Sequence, residues 1–247
     1  MKIYGIIPAR YASTRLPGKP LAMICGKPMI QRVYERAARC GRLDRVVVAT
    51  DDARILTAVQ AFGGECIPTR GDHQSGTDRL AESAAILGLA PEDIIVNIQG
   101  DEPLLQSEMI GILIDAALSA PRCDMATLAF SSSSREDFQS PNVAKVVVDG
   151  SGKALYFSRS PIPFSRDATE SVSFLKHLGF YAYSRRFLSE FTGLPPGRLE
   201  STEKLEQLRA LENGHTIRVA ISPFDSESVD TPEDLEKVTA LVSRLEE

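Results

Sequence analysis

Long apolar runs, cysteine motifs and an excess of basic charge are all missing from this sequence of 247 residues. No apolar run reaches the roughly 20 residues that a membrane-spanning helix requires. The apolar start at residues 3–7 is too short for a signal peptide and leads directly into Pro8. The formal net charge is -5, whereas binding to nucleic acid or to an anionic membrane requires a basic face. We therefore expect a cytoplasmic protein that binds neither.

Motifs for metal, redox and dinucleotide chemistry are absent as well. The sequence has no C-x-x-C pair and no histidine at the spacing of a zinc site, so we expect reduced, structural thiols at its four cysteines, Cys25, Cys40, Cys66 and Cys123. It lacks the fingerprint G-x-G-x-x-G, which argues against a dehydrogenase. Gly18-Lys19 precedes a proline and has no upstream glycine, so this segment is not a P-loop.

Short apolar runs at residues 3–7, 46–50 and 94–98 alternate with segments of helical periodicity in the first half. Such runs are typical of parallel strands that are covered on both faces. The alternation predicts an α/β fold with a doubly wound, mostly parallel sheet. The length fits one large α/β domain or two small ones, and no low-complexity linker or internal repeat divides the chain. Ligands of such sheets bind beyond the carboxyl ends of the strands, which here means the loops at 8–20, 50–52, 70–77 and 99–103.

The second half is less regular, and strands are predicted at residues 125–130, 143–148, 154–157, 178–183 and 217–221. We expect a smaller β-rich region here. One helix is predicted over residues 200–213. The sequence Thr231-Pro232-Glu233-Asp234 has a capping residue, a proline at the first helical position and an acid three residues after the cap. It predicts the start of a final helix.

Three cations lie in the loop that follows the first strand: Arg10, Arg15 and Lys19. Ser13, Thr14 and Gly18 let backbone amides and hydroxyls approach an anion closely. A triphosphate requires this combination of amide donors and cations. The alternative is a solvated loop that is basic without binding anything, which is unusual at the mouth of the sheet of an acidic protein.

Two acids are candidates for a magnesium site. Asp101 follows a fully apolar strand within Gln99-Gly100-Asp101-Glu102-Pro103, where a carboxylate can hold an ion that bridges to a phosphate. Asp230 precedes the final helix, outside the cap formed with Asp234. The alternatives are a turn-capping role for Asp101 and a solvated loop position for Asp230. Without a cation, two carboxylates held close together would repel each other.

Polar side chains elsewhere are candidates for the base and for a second substrate. The loop at residues 72–79 offers hydroxyls and amides to a base edge or a ribose, although Thr77 as a helix cap would explain part of it. Arg159 and His177 are suited to hold a substrate carboxylate. A lone histidine beside an apolar residue such as Leu178 is also commonly structural.

Eight motifs occur in the order found in one family. They are I-I-P-A-R-Y-A-S-T-R-L-P-G-K-P-L at 6–21, A-T-D at 49–51, H-Q-S-G-T at 73–77, Q-G-D-E-P at 99–103, Y-F-S-R at 156–159, H-L-G at 177–179, L-E-Q-L-R at 205–209 and V-D-T-P-E-D-L-E at 229–236. Together they span almost the whole chain. The sequence resembles the 3-deoxy-manno-octulosonate cytidylyltransferases, or CMP-KDO synthetases.

This resemblance implies a homodimeric enzyme that forms a single nucleotidyltransferase domain over residues 1–247. It implies a sheet of the nucleotide-diphospho-sugar transferase type and a β-rich dimerisation region. It implies Mg²⁺ as cofactor, and transfer of CMP from CTP to the anomeric hydroxyl of a keto sugar acid, KDO, with release of pyrophosphate for lipopolysaccharide synthesis. The nucleotide-binding residues it implies are Pro8, Ala9, Arg10, Arg15, Lys19, Ser75, Gly76, Arg79 and Gln99. It implies sugar contacts at Gln99, Arg159, His177 and Gln207, metal ligands at Asp101 and Asp230, and catalytic roles for Arg15, Lys19 and Asp101.

Three alternative functions stay open at this point. Amino-substituted KDO is a possible sugar substrate. A sialic acid is another, but the family that activates it has a Gly-Gly-Ser-Lys character where this chain has residues 11–15, Tyr-Ala-Ser-Thr-Arg. A non-catalytic nucleotide sensor on the same fold would not need two acids on separate loops.

Overall fold

A computed structural model describes residues 1–13, 15–119, 124–166 and 173–246. Thr14 and Cys123, both singled out above, lie outside the described residues. The chain divides into two compact units, one formed by Met1–Gly111 with Ser226–Glu247 and the other by Ile112–Asp225. The single domain over residues 1–247 stays a prediction.

Eleven strands and nine α-helices are present in the described residues. The strands are β1 (Ile3–Ala9), β2 (Met23–Ile24), β3 (Lys27–Pro28), β4 (Arg45–Thr50), β5 (Cys66–Pro68), β6 (Ile94–Asn97), β7 (Met125–Ser132), β8 (Lys145–Val148), β9 (Ala154–Ser158), β10 (Phe174–Ser184) and β11 (Ile217–Ser222). The helices are α1 (Met29–Ala38), α2 (Ala53–Ala61), α3 (Gly76–Ile86), α4 (Ser107–Leu118), α5 (Arg135–Gln139), α6 (Arg185–Gly193), α7 (Arg198–Glu203), α8 (Leu208–Glu212) and α9 (Pro232–Glu246).

In the first unit, the strand order β6-β1-β4-β5 confirms the predicted parallel sheet. All three pairings are parallel, with Ile6 of β1 beside Val47 on one side and Asn97 on the other. Ile6 and Ile7 are completely buried, as expected for a strand covered on both faces.

The chain runs from β1 to β4 and β5 on one side of the sheet, and β6 then pairs with β1 on the other side. The order of the strands therefore reverses between β1 and β6, and such a switch point opens a ligand crevice at the carboxyl ends of the strands. The loop after β1 and the loop after β6 both begin there. These are the loops that carry the predicted cations and Asp101.

The second unit contains the predicted β-rich region, with strand order β11-β7-β10 and with β8 between β10 and β9. Its β7–β11 pairing is parallel, and the others are antiparallel. A register shift between Leu178 and Tyr181 interrupts the β10–β7 ladder.

The predicted helix over residues 200–213 is wrong. Two short helices, α7 and α8, take its place because Lys204 adopts a left-handed conformation, with φ of 54°. A non-glycine residue at positive φ ends an α-helix. The sequence-based prediction also missed α6, which begins after Ser184, whose hydroxyl accepts a hydrogen bond of 3.1 Å from the Phe187 N–H.

The predicted start of the final helix is confirmed. Thr231 Oγ1 accepts a hydrogen bond of 3.2 Å from the Asp234 N–H, and the Asp234 carboxylate accepts from the N–H groups of Thr231 and Asp230 at 2.9 and 3.0 Å. Asp234 is therefore the partner of the cap. The Asp230 side chain does not take part in this cap.

Candidate active site

A cavity of about 460 Å³ opens at the carboxyl edge of the first unit's sheet. It is lined by the loop after β1, the entry to α3, the loop after β6 and the segment before α9. Every residue that was predicted to bind the nucleotide or the metal lines this cavity: Pro8, Ala9, Arg10, Arg15, Lys19, Ser75, Gly76, Arg79, Gln99, Asp101 and Asp230.

The path of the cationic loop depends on Gly18. This residue has φ of +70°, in the region that favours glycine, and its N–H donates a hydrogen bond of 3.1 Å to the Tyr11 carbonyl. A Cβ at position 18 would lie 3.0 Å from the Tyr11 ring. The Arg54 guanidinium lies over this ring, 3.3 Å from its centroid. Only glycine combines this backbone angle with this close approach.

Lys19 joins the two candidate metal ligands. Its Nζ donates to Asp101 Oδ2 at 2.6 Å and to Asp230 Oδ1 at 3.0 Å. Arg15 also contacts Asp230 Oδ1, at 3.0 Å. Two side chains of the cationic loop therefore supply the positive charge that offsets repulsion between the two acids.

Lys19 stays charged at neutral pH in this arrangement. Burial by itself lowers the pKa of Lys19, but the charge and hydrogen bond of Asp101, followed by those of Asp230, outweigh burial and raise the pKa above its ordinary value. The Lys19 side chain is 16% exposed, and those of Asp101 and Asp230 are 25% and 36% exposed, so water screens the three charges in part.

The backbone brings the two acids together across a long stretch of sequence. Val229 N–H donates a hydrogen bond of 2.9 Å to the Asp101 carbonyl, which places Asp230 beside Asp101. Val229 is itself completely buried, in a cluster with residues of α1 and α9. Gly100 allows the loop after β6 to approach β1 closely, since a Cβ there would lie 3.2 Å from the Pro8 carbonyl oxygen.

The residues present fit a magnesium ion. The described residues contain no group of three or more His, Cys, Asp or Glu side chains placed to hold a metal. Mg²⁺, however, is commonly bound by one or two carboxylates, with water and substrate phosphates as its other ligands. The Lys19 ammonium shows that one cation already reaches both Asp101 and Asp230. Glu102 accepts instead from the Ser226 hydroxyl.

The entry to α3 differs in one detail from the prediction. Ser75, and not Thr77, caps the helix, because Ser75 Oγ accepts from the Asp78 N–H at 3.1 Å and the Ser75 N–H donates to Asp78 Oδ2 at 3.1 Å. This capping box fixes the backbone of Ser75 and Gly76 at the cavity wall.

Arg79 lines the cavity but is held by the protein. Its side chain is 6% exposed and contacts the Asp51 carboxylate at 3.0 Å and Thr69 Oγ1 at 2.5 Å. It thereby ties α3 to the carboxyl ends of β4 and β5. Sequence reasoning did not find this role of Asp51, although the residue closes the A-T-D motif. The sequence also gave no indication of the contact between His73 and Glu82 of α3.

Three of the residues predicted to contact the sugar, Arg159, His177 and Gln207, belong to the second unit. Arg159 is anchored there by backbone carbonyls: Nε donates to the Glu203 oxygen at 2.7 Å and Nη1 to the Pro141 oxygen at 2.9 Å. The Arg159 carbonyl in turn accepts at 2.8 Å from Nζ of the fully buried Lys145. Arg159 is thus a connecting residue of this unit, and its predicted contact with the sugar stays a prediction.

His177 is neutral near pH 7, because desolvation lowers its pKa to about 3. The residue as a whole is half-buried, and its ring packs against Phe157 and Tyr181, at centroid distances of 4.9 and 5.6 Å. Its Nε2 lies 3.0 Å from Thr127 Oγ1, and this hydroxyl lies 2.7 Å from the Phe180 carbonyl, which accepts its proton. The hydrogen-bond network therefore assigns the proton of His177 to Nε2 and leaves Nδ1 as an acceptor. Such a ring suits a substrate hydroxyl better than a carboxylate.

Gln207 carries an unsatisfied donor. The residue is 3% exposed, and its Nε2 has no hydrogen-bond acceptor among the described residues. A buried amide donor of this kind normally has a partner. The orphaned group is consistent with the predicted role in binding a polar substrate.

A family model for cytidylyltransferases matches residues 4–217 of the chain. The chain belongs to the cytidylyltransferase family. As a cytidylyltransferase it is a nucleotidyltransferase enzyme, which confirms the class that the sequence motifs predicted.

Relatives of this cytidylyltransferase are similar over nearly their whole length. The 3-deoxy-manno-octulosonate cytidylyltransferase of Syntrophobacter fumaroxidans is 63% identical over 99% of this chain and 98% of its own. The 8-amino-3,8-dideoxy-manno-octulosonate cytidylyltransferase of Shewanella frigidimarina is 53% identical over 96% and 97%. A solved structure of CMP:2-keto-3-deoxy-manno-octonic acid synthetase complexed with CTP is 46% identical, covers 99% of both chains and has a TM-score of 0.93.

These comparisons confirm the predicted fold class and the predicted resemblance to CMP-KDO synthetases. No helix among the described residues is long and apolar enough to cross a membrane.

Proposed function

We propose that this cytidylyltransferase transfers CMP from CTP to the anomeric hydroxyl of KDO and releases pyrophosphate, for the synthesis of lipopolysaccharide. The observation that carries the proposal is the single cavity in which the cationic loop, with Arg10, Arg15 and Lys19, meets Asp101 and Asp230. A triphosphate and a phosphoryl-transfer reaction require this combination of cations and acids.

The comparisons support this choice of substrates. The relative that is 63% identical carries the name of a KDO-activating enzyme, and the solved structure similar over 99% of the chain holds CTP. We therefore expect CTP to be the nucleotide that binds in the cavity. The roles of the individual residues are our proposal.

Phosphoryl transfer depends mainly on position and on neutralisation of charge. The sugar hydroxyl loses its proton to water as its oxygen forms a bond to the α-phosphorus of CTP, and the bond from that phosphorus to the pyrophosphate oxygen breaks. Arg10, Arg15 and Lys19 bind the triphosphate, and Lys19 and Arg15 stabilise the departing pyrophosphate. Asp101 and Asp230 would hold Mg²⁺, which supplies Lewis-acid neutralisation of the phosphoryl oxygens when bound.

The nucleoside and the sugar acid have separate proposed contacts. The part of the cavity wall that we assign to the nucleoside is formed by Ser75, Gly76, Pro8, Ala9 and Gln99. For the sugar acid, we assign a donor role to the orphaned Nε2 of Gln207 and an acceptor role to Nδ1 of His177. Arg159 and Gln99 complete the proposed set of sugar contacts.

A homodimer in the cytoplasm is part of this proposal. In the second unit, Leu155 of β9, Ile221 of β11 and Phe164 are 61%, 50% and 87% exposed. These side chains are available to pack against another protein surface. A second copy of this chain is the partner expected from the sequence resemblance.

The sugar is tested by a pyrophosphate-release assay with CTP, Mg²⁺ and three acceptors: KDO, its 8-amino-8-deoxy analogue and a sialic acid. We expect the highest kcat/KM with KDO. A higher kcat/KM with the 8-amino sugar would assign the enzyme to the activity named for the Shewanella frigidimarina relative. No turnover with any acceptor, despite CTP binding, would support a nucleotide sensor and contradict the proposal.

A further inference from the structure

The Lys19 ammonium occupies the position between the two carboxylates that would bind the metal. Its Nζ lies 2.6 Å from Asp101 Oδ2 and 3.0 Å from Asp230 Oδ1. We propose that Lys19 keeps divalent cations out of the nucleotide-free enzyme, and that it leaves this position only when a nucleotide binds. The proposal rests on the metal site in the proposed function and adds an order of binding to it.

Charge is the first reason for this exclusion. Lys19 and Arg15 carry two positive charges, and Asp101 and Asp230 carry two negative ones, so the cluster is balanced. A dication approaching it meets no net negative charge. Since Mg²⁺ binds oxygen at about 2.0–2.1 Å, an ion on both acids would also lie close to the ammonium and be repelled by it.

The second reason is that the Lys19 side chain can move while its backbone is held in place. Lys19 N–H donates to the Leu16 carbonyl at 3.1 Å, and its own carbonyl accepts from Ala22 N–H at 3.0 Å. Nothing but the two carboxylates holds the ammonium among the described residues. Arg79 in the same cavity is different, because its guanidinium bonds to Asp51 and to Thr69.

A nucleotide supplies what the displaced lysine needs. The phosphates offer the ammonium new anionic partners in the same cavity, and they offer a metal further oxygen ligands. The cation and the nucleotide should then increase each other's affinity by the same factor, as linkage requires. Lys19 is a positioning residue in this step, since it acts on the metal through Asp101 and Asp230.

The test measures the binding of Mn²⁺ with and without α,β-methylene-CTP. The concentration of free Mn²⁺ is obtained from its electron paramagnetic resonance signal. We compare wild type, Lys19→Met, Lys19→Arg and, as a matched control, Lys27→Met. Lys27 pairs with Glu35, away from the two acids, and its replacement removes the same charge. Circular dichroism and thermal unfolding establish that each variant is folded.

Without nucleotide, Lys19→Met should bind Mn²⁺ more tightly than wild type by about 5- to 150-fold, the usual range for coupled sites. Lys19→Arg and Lys27→Met should resemble wild type. With the analogue, the difference between Lys19→Met and wild type should shrink or disappear. A structural role of Lys19 alone would not produce this pattern.

The proposal would be overturned if Lys19→Met and wild type bound Mn²⁺ with equal affinity in the absence of nucleotide. Tight binding of Mn²⁺ to the nucleotide-free wild type would overturn it as well. A different result would contradict the metal site itself. If every variant binds the analogue but none binds Mn²⁺ with or without it, Asp101 and Asp230 are not the metal ligands.

Discussion

Val229 N–H donates a hydrogen bond of 2.9 Å to the Asp101 carbonyl, and this bond joins the loop after β6 to the segment before α9. The next residue after Val229, Asp230, therefore lies beside Asp101, where both carboxylates accept from Lys19. The acid pair is thus built by backbone contacts and neutralised by a side chain of a third segment.

The acid pair should act as a unit in catalysis. Asp101→Asn and Asp230→Asn should each lower kcat by about a hundredfold or more, the range seen when a charge-stabilising group is removed. The double variant should lose much less than the product of the two. Steady-state pyrophosphate release measures this, with the exposed neighbour Glu233→Gln as control. Full activity of either single variant would remove that acid from the site.

The same two variants should unfold slightly more easily than wild type. Each leaves Lys19 with one fewer partner, so stability should fall, by at most about 1 kcal/mol because the cluster is partly exposed. Urea unfolding without metal measures it. A rise in stability would mean that repulsion between the acids outweighs their attraction to Lys19.

Gly18→Ala should weaken CTP binding more than backbone strain alone explains. Gly88 provides the matched control, since its φ is +63° and a Cβ there would meet nothing within 4 Å. Both variants should lose about 1–2 kcal/mol of stability to the left-handed conformation. Only Gly18→Ala must displace the Tyr11 ring and the loop with it. Calorimetric titration with CTP compares them, and equal affinities would contradict this account of the loop.

Wild-type stability should fall in acid through His177. Its pKa is about 3 in the folded protein against an ordinary value of 6.5, so the unfolded chain takes up the proton first as the pH falls. This contribution is fully present above about pH 6.5 and is lost towards pH 3, by at most about 1.4 kcal/mol per pH unit. Urea unfolding of wild type and His177→Gln at pH 7.5 and pH 5 checks it. The stability advantage of wild type should shrink at pH 5, and a constant difference would show that His177 titrates normally.

Gln207→Met should separate substrate binding from stability. The variant removes a buried donor that has no acceptor among the described residues, so the free energy of unfolding should hold or rise by about 1 kcal/mol. The KM for the sugar acid should rise several-fold while the KM for CTP stays near its wild-type value. A loss of stability with an unchanged KM for the sugar acid would assign Gln207 to the core instead.

Strands β1, β4 and β6 were predictable because each contains a continuous apolar run, whereas β2, β3 and β5 are too short to show one. The cavity was predictable because parallel strands place their carboxyl ends on one edge. The bond between Lys19 and Asp230 was not, since 211 residues separate them and no local pattern links them. The break at Lys204 escaped prediction because the left-handed conformation falls on a residue with no preference for it. The neutral state of His177 depends on rings brought to it by folding.

The most direct test of the proposed activity is ³¹P nuclear magnetic resonance of a mixture of the enzyme, Mg²⁺, CTP and KDO. We predict a new phosphodiester resonance and pyrophosphate in equal amounts, with much slower reaction when ATP or GTP replaces CTP. Pyrophosphate without the phosphodiester, or turnover with a purine triphosphate at a kcat/KM comparable to that with CTP, would contradict transfer of CMP to the sugar acid.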